Sequence, residues 1–165
     1  MSTSWKGKAW GWLAAILAIA VVIGLLSGCA WGRGEGTAAT SLDEIGEKVG
    51  QAADLKEMKK GDMKKLQKLY NIDPDAVEGF ILYTSNSNVR ADEWAVIQLK
   101  DPQQAENVKA SIGQRIAAQK NKFKDYRPNE FFLVENHVLK TKGSFVFFAV
   151  SQEAEQMEKA FDDAF

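Results

Sequence analysis

Phe80-Ile81-Leu82-Tyr83-Thr84, then Ser85-Asn86-Ser87-Asn88-Val89-Arg90-Ala91-Asp92-Glu93, then Trp94-Ala95-Val96-Ile97-Gln98-Leu99: this stretch decides the fold. Its two ends are rich in aromatic and β-branched residues, which suit a pleated surface, and read as strands. The polar segment Ser85–Asp92 between them is long for a hairpin turn. Long polar loops on a rigid sheet often carry recognition, so Asn86, Asn88 and Arg90 are candidate recognition residues; the competing reading is a plain solvated hairpin end.

Downstream, Asp101-Pro102 pairs an N-capping side chain with a residue pre-set for the first helical turn. It starts a helix with Ala105, Val108, Ile112, Ile116 and Phe123 down one face. At about 100° per residue, Gln119 falls inside that apolar stripe and Arg115 at its border. A buried amide needs a hydrogen-bond partner and a half-buried guanidinium needs a carboxylate. Asp92 or Glu93, at the start of the facing strand, is the natural partner, with Tyr126 near the helix end. Asp92, Glu93, Arg115, Gln119 and Tyr126 therefore form either a polar clamp between helix and sheet or the lining of a small anion or peptide pocket.

Over 129–136, Pro128 and Glu130 suit a helix start while Phe131-Phe132-Leu133-Val134 suits a strand, and a short helical turn is expected. His137–Thr141 and Ser144–Val150 form a second hairpin about Lys142-Gly143, where glycine supplies a positive φ. Ala154, Met157, Phe161 and Phe165 define a closing helix. Strand–strand–helix thus occurs twice, over 80–123 and 137–165, as either an internal repeat or two amphipathic helices that happen to match. Upstream, Ser41 and Glu44 make a capping box for a helix carrying Leu42, Ile45 and Val49. Gly46 and Gly50 each weaken it by about 1 kcal/mol relative to alanine. Asp62 caps a second helix, with Met63, Leu66, Leu69 and Tyr70 on one face, that Asn71 can end. The architecture expected is α+β: a four-stranded antiparallel sheet from two hairpins, helices mainly on one face, and N-terminal helices.

The first 40 residues differ in kind. Lys6 and Lys8 precede an uncharged, largely aliphatic run from Trp12 to Leu26, which ends in Leu26-Ser27-Gly28-Cys29. A cationic start, an apolar run of this length and an aliphatic-small-small-cysteine sequence resemble a lipoprotein signal peptide with its lipobox. Residues 1–28 are the expected signal peptide, Cys29 the lipid attachment site, 29–40 a glycine-rich flexible tether, and 41–165 a single domain. The alternative is an uncleaved transmembrane helix, for which about 20 apolar residues suffice.

The order Leu69-Tyr70-Asn71-Ile72-Asp73-Pro74, Tyr83-Thr84, Ala91-Asp92-Glu93-Trp94-Ala95-Val96, Arg115 with Gln119 and Phe123-Lys124-Asp125-Tyr126, and Lys142-Gly143-Ser144-Phe145-Val146-Phe147-Phe148-Ala149-Val150-Ser151 resembles a bacterial lipoprotein family, domain of unknown function 4358. The resemblance spans about Ser41 to Phe165. It implies a compact extracytoplasmic domain and carries over no catalytic residue.

Composition narrows the function classes. The formal net charge is −1, with both signs interspersed, whereas nucleic-acid binding needs a basic face. One cysteine and one histidine do not make a zinc site, and Gly32, Gly34 and Gly36 precede no strand-to-helix turn that would cradle phosphate. His137 begins a strand with no nucleophile motif near it. Asp92-Glu93 point to opposite faces of a strand and so make no acid/base dyad, and Asp162-Asp163 read as a solvated helix end. The expectation is a non-enzymatic membrane-anchored binding or accessory module without a cofactor or metal. It would face the extracytoplasmic side and meet a protein or cell-envelope partner. The alternative is a small-ligand-capture lipoprotein, a transporter accessory, using Arg115 and Gln119.

Overall fold

The computed structural model describes residues 40–165. The predicted signal peptide, Cys29 and all but the last residue of the predicted tether lie outside the described residues. Thr40 is already tied down, its hydroxyl donating to the Ala164 carbonyl at 2.8 Å. No helix among the described residues is long and apolar enough to cross a membrane.

The elements in chain order are α1 (Leu42–Gln51), β1 (Met58–Lys60), α2 (Met63–Tyr70), β2 (Val77–Ser85), β3 (Glu93–Leu99), α3 (Ala105–Phe123), α4 (Pro128–Glu135), β4 (Val138–Lys142), β5 (Phe145–Val150) and α5 (Ala154–Asp162). Short 3₁₀ turns at Pro74–Ala76 and Pro102–Gln104 follow the two Asp-Pro pairs. The predicted caps form: Ser41 and Glu44 make both bonds of a capping box. Asp62 accepts the Lys65 N–H at 2.8 Å, and Asn71 ends α2 with φ of 51°. Residues 128–135 are helical, and Gly143, at φ of 59°, turns the β4–β5 hairpin.

The sheet has five antiparallel strands in the order β1-β2-β3-β5-β4, not the four expected. The extra strand is Met58-Lys59-Lys60, paired with Tyr83–Ser85 of β2. Three residues with two lysines carry no strand signal of their own. The edge of β2 recruits them.

Helices cover both faces of the sheet, three on one and two on the other, where they were expected mainly on one. Leu82, Ala95, Ile97, Val146 and Phe148 pack with residues of α2, α3 and α4. Their neighbours in the strands (Ile81, Trp94, Val96, Phe147) pack on the opposite side with residues of α1 and α5. Trp94 and Phe147 are therefore buried. Phe161 is buried as well, while Phe165 stays partly exposed and packs edge-on against Phe145 and Phe161. Because α3 and α5 lie on opposite faces, the two strand–strand–helix units are not copies related by symmetry. Asp162 is not merely solvated: Lys140 on β4 reaches both Asp162 and Glu158, at 2.6 and 2.9 Å, and ties α5 to the edge strand.

The glycine-weakened helix α1 persists because Gly46 lets it sit directly on β2. A Cβ at Gly46 would fall 1.9 Å from Ile81 Cδ1, whereas one at Gly113, in the middle of α3, would meet nothing within 4 Å. The two positions therefore predict opposite signs. Gly113→Ala is expected to stabilise by up to about 1 kcal/mol through helix propensity, and Gly46→Ala to destabilise by about 1–3 kcal/mol through overpacking. Urea unfolding of both variants checks this, and a stabilising Gly46→Ala would show that the contact has slack.

Candidate functional site

The chemistry concentrates where β3 begins. Glu93 opens the strand on the same face as Ala95 and Ile97, opposite Thr84 of β2. That face looks toward α2 and α3, so the carboxylate enters the interior, where its side chain is only 2 % exposed. An isolated buried carboxylate is costly and needs donors. Four bonds supply them. The Tyr70 hydroxyl donates to Oε1 at 2.8 Å, Arg115 donates from Nη2 to Oε2 at 2.7 Å and from Nε to Oε1 at 3.3 Å, and Gln119 Nε2 donates to Oε2 at 3.3 Å. Arg115 and Gln119 stand one helical turn apart on α3, which lets both reach the same group.

The structure thus chooses between the two acids. Glu93 holds Arg115 and Gln119, while Asp92 pairs with Arg90 at 2.9 Å. Tyr126 does not join them: it is 56 % exposed and leans on Phe123. Its place is taken by Tyr70, which sequence reading had assigned to the apolar face of α2. Burial holds the Tyr70 phenol well above its ordinary value of 10.0, and the charge and hydrogen bond of Glu93 push the same way. For Arg115, burial alone would lower the pKa, but the Glu93 hydrogen bonds and charge more than offset it and raise it.

A raised phenol pKa makes stability depend on pH. The native state keeps the Tyr70 proton after the unfolded chain begins to lose it, so this contribution is complete below about pH 10 and falls away above it. Tyr70→Phe is expected to cost about 2 kcal/mol at neutral pH, the size of a hydrogen bond to a charged group. The gap to the unsubstituted protein then narrows above about pH 10. Urea midpoints across that range test this; a gap that stays constant to strongly alkaline pH contradicts it.

Above the cluster lies a cavity of about 290 Å³. Glu93, Arg115 and Gln119 line it together with the β2–β3 loop, including Asn86, Asn88 and Arg90. Three other segments fix this loop. Glu130 of α4 accepts the Ala91 N–H at 2.7 Å, the Glu57 carbonyl accepts the Asn86 N–H at 2.8 Å, and Lys122 of α3 donates to the Asn88 carbonyl. Lys59 of β1, Lys65 of α2 and Lys122 complete the rim. Sequence reading missed all three lysines. For Lys122 a signal existed, since it follows Gln119 by three positions and Arg115 by seven, on the same side of the helix.

Residues 51–151 match the family model described as Domain of unknown function (DUF4358). The chain belongs to the DUF4358 family. The matched span holds all of Tyr70, Glu93, Arg115, Gln119 and the 85–92 loop, and so the whole cavity floor. It is narrower than the resemblance read from sequence: α5 and nearly all of α1, the two helices on the second face of the DUF4358 sheet, fall outside it. Comparison with curated proteins and with solved structures gave no match. Among the described residues no group of three or more His, Cys, Asp or Glu is placed to hold a metal ion. His137 bonds to the Val134 carbonyl at 2.8 Å instead.

Proposed function

We propose that this chain is a membrane-anchored extracytoplasmic lipoprotein whose folded domain is a binding or accessory module for a protein or cell-envelope partner. The observation that carries the reading is the cavity in which the polar 85–92 loop and the Glu93–Arg115–Gln119 cluster, far apart in sequence, share one surface. A loop held from three sides is pre-organised, which lowers the ordering cost of binding. The anchor rests on the sequence around Cys29. Two acyl chains hold a protein stably where one does not, and tethering raises the effective concentration of a weak binder at its membrane. The reading assigns no catalytic step.

Two experiments test it. Cys29→Ser is expected to leave an unprocessed precursor without lipid label; normal processing and labelling in that variant would overturn the lipoprotein reading. In-cell crosslinking of the lipidated protein is expected to capture a discrete partner that is lost when residues 85–92 are replaced by a Gly/Ser segment. Capture that survives the replacement moves the interface elsewhere. The concave shape of the surface favours a second reading, a small-ligand-capture lipoprotein that serves a transporter, with Arg115 and Gln119 on the pocket floor.

A further inference from the structure

Cations outnumber acids in the cavity lining, and the acids just outside it, Glu57 and Glu130, act on Arg90. The lining holds two acids, Asp92 and Glu93, against five cations. Arg90 is paired with Asp92 and Arg115 with Glu93. Lys59, Lys65 and Lys122 remain, and none of them forms an ion pair among the described residues. Lys122 spends one hydrogen on the Asn88 carbonyl and lies over the Phe123 ring. Its charge, like those of Lys59 and Lys65, meets no carboxylate among the described residues, and three such charges around a concave surface favour an anion there.

Arg115 adds direction to this charge. Glu93 takes its Nε and one Nη2 hydrogen, which leaves the Nη1 edge of a guanidinium that lines the cavity and is 27 % exposed. The group is held in place by a buried carboxylate before any ligand arrives. Such support from behind is what gives a binding arginine its geometry.

The rest of the lining defines the remainder of the ligand. Thr84, Ser85, Asn86, Ser87 and Asn88 present hydroxyls and amides, which can both donate to and accept from ligand hydroxyl groups. No aromatic side chain lines the cavity, so there is no platform on which a nucleobase would stack. A volume of about 290 Å³ suits a ligand of one ring rather than a polymer.

We propose that this cavity binds a small hydroxylated anion of the sugar phosphate or sugar acid class. Arg115 and the three lysines hold the anionic group, and the 84–88 side chains hold the hydroxyls. The proposal rests on the binding-module reading and adds a ligand class to its second form.

Calorimetric titration of the protein extracted from membranes in nonionic detergent tests it, with glucose 6-phosphate, glucuronate, glucose and inorganic phosphate as probes. The two sugar anions are expected to bind, and the tighter of them identifies phosphate or carboxylate as the preferred group. Glucose is expected to bind roughly tenfold more weakly or worse. Lys59→Gln combined with Lys65→Gln is expected to lower sugar-anion affinity roughly tenfold at unchanged Tm. Arg115→Lys, which keeps the charge and loses the fork, is expected to lower it too. Sugar anions that bind no tighter than glucose would overturn the anion assignment, yet glucose binding lost on loop replacement would still support the module. Inorganic phosphate binding as tightly as glucose 6-phosphate would overturn the hydroxylated part. If no probe binds, the ligand class falls, and a loop-dependent crosslinked partner would show that the module reading survives it.

Discussion

Glu93→Ala is expected to destabilise the domain by about 3–5 kcal/mol, the cost of breaking a buried ion pair from one side. In a domain of this size that lowers Tm by on the order of 10–20 °C. The reason is arithmetic on donors. The carboxylate accepts from Tyr70, Arg115 and Gln119 together, and its removal strands all three, two of them almost fully buried. The effect belongs to the orphaned partners more than to the pair itself. Glu93→Leu combined with Arg115→Met is therefore expected to recover only the part of the loss due to the stranded charge. Adding Tyr70→Phe and Gln119→Leu, which removes the two remaining buried donors, is expected to recover more. A double-mutant cycle in urea measures the coupling directly. A loss below about 1 kcal/mol for Glu93→Ala would show that water reaches these groups and that the cluster is no clamp.

The second large effect is expected on the other face of the sheet. Phe161 stacks on Phe147 with ring centroids 5.0 Å apart, and both are fully buried. Phe161→Ala is expected to cost about 3–5 kcal/mol, the usual range for deleting a buried aromatic ring. Helix α5 meets the sheet mainly through Ala154, Met157 and Phe161, so the loss has a local signature. Amide exchange is expected to quicken in α5 and in α1, which pack beside one another on this face. Phe165→Ala, at 46 % exposure, serves as the comparison and is expected to cost about 1 kcal/mol or less. Equal costs for the two phenylalanines would mean that α5 is held by its ion pairs to Lys140 rather than by its rings.

Local chemistry was legible in the sequence. Ser41 with Glu44, Asp62, Asn71, the two Asp-Pro pairs and Gly143 act on backbone groups within a few residues, so their effect does not depend on the rest of the fold. The placement of Arg115 and Gln119 on one side of α3 was legible for the same reason, since a helix fixes the angle between its own residues. The identity of their partner was not. Asp92 and Glu93 are neighbours in the chain, and strand alternation sends them to opposite faces; only the pairing register decides which one enters the core. Tyr70 hid within an apolar stripe because a phenol fits such a stripe until something buried asks for its hydroxyl. The strand at Met58–Lys60 has no signal of its own because its pairing energy comes from β2.

The coverage of both sheet faces left one trace. Trp94–Leu99 and Phe145–Val150 are almost continuously apolar rather than alternating, as strands buried on both sides are. By itself, then, the sequence determined the helices, their caps, the two hairpins and the side of α3 that carries polar groups. Tertiary structure alone decided that helices would divide between two faces, that Glu93 would be the buried acid, and that three lysines from separate elements would surround one cavity. An amphipathic pattern states that a face must be buried. Which surface buries it, and which charges are carried there together, depends on contacts between residues far apart in the chain.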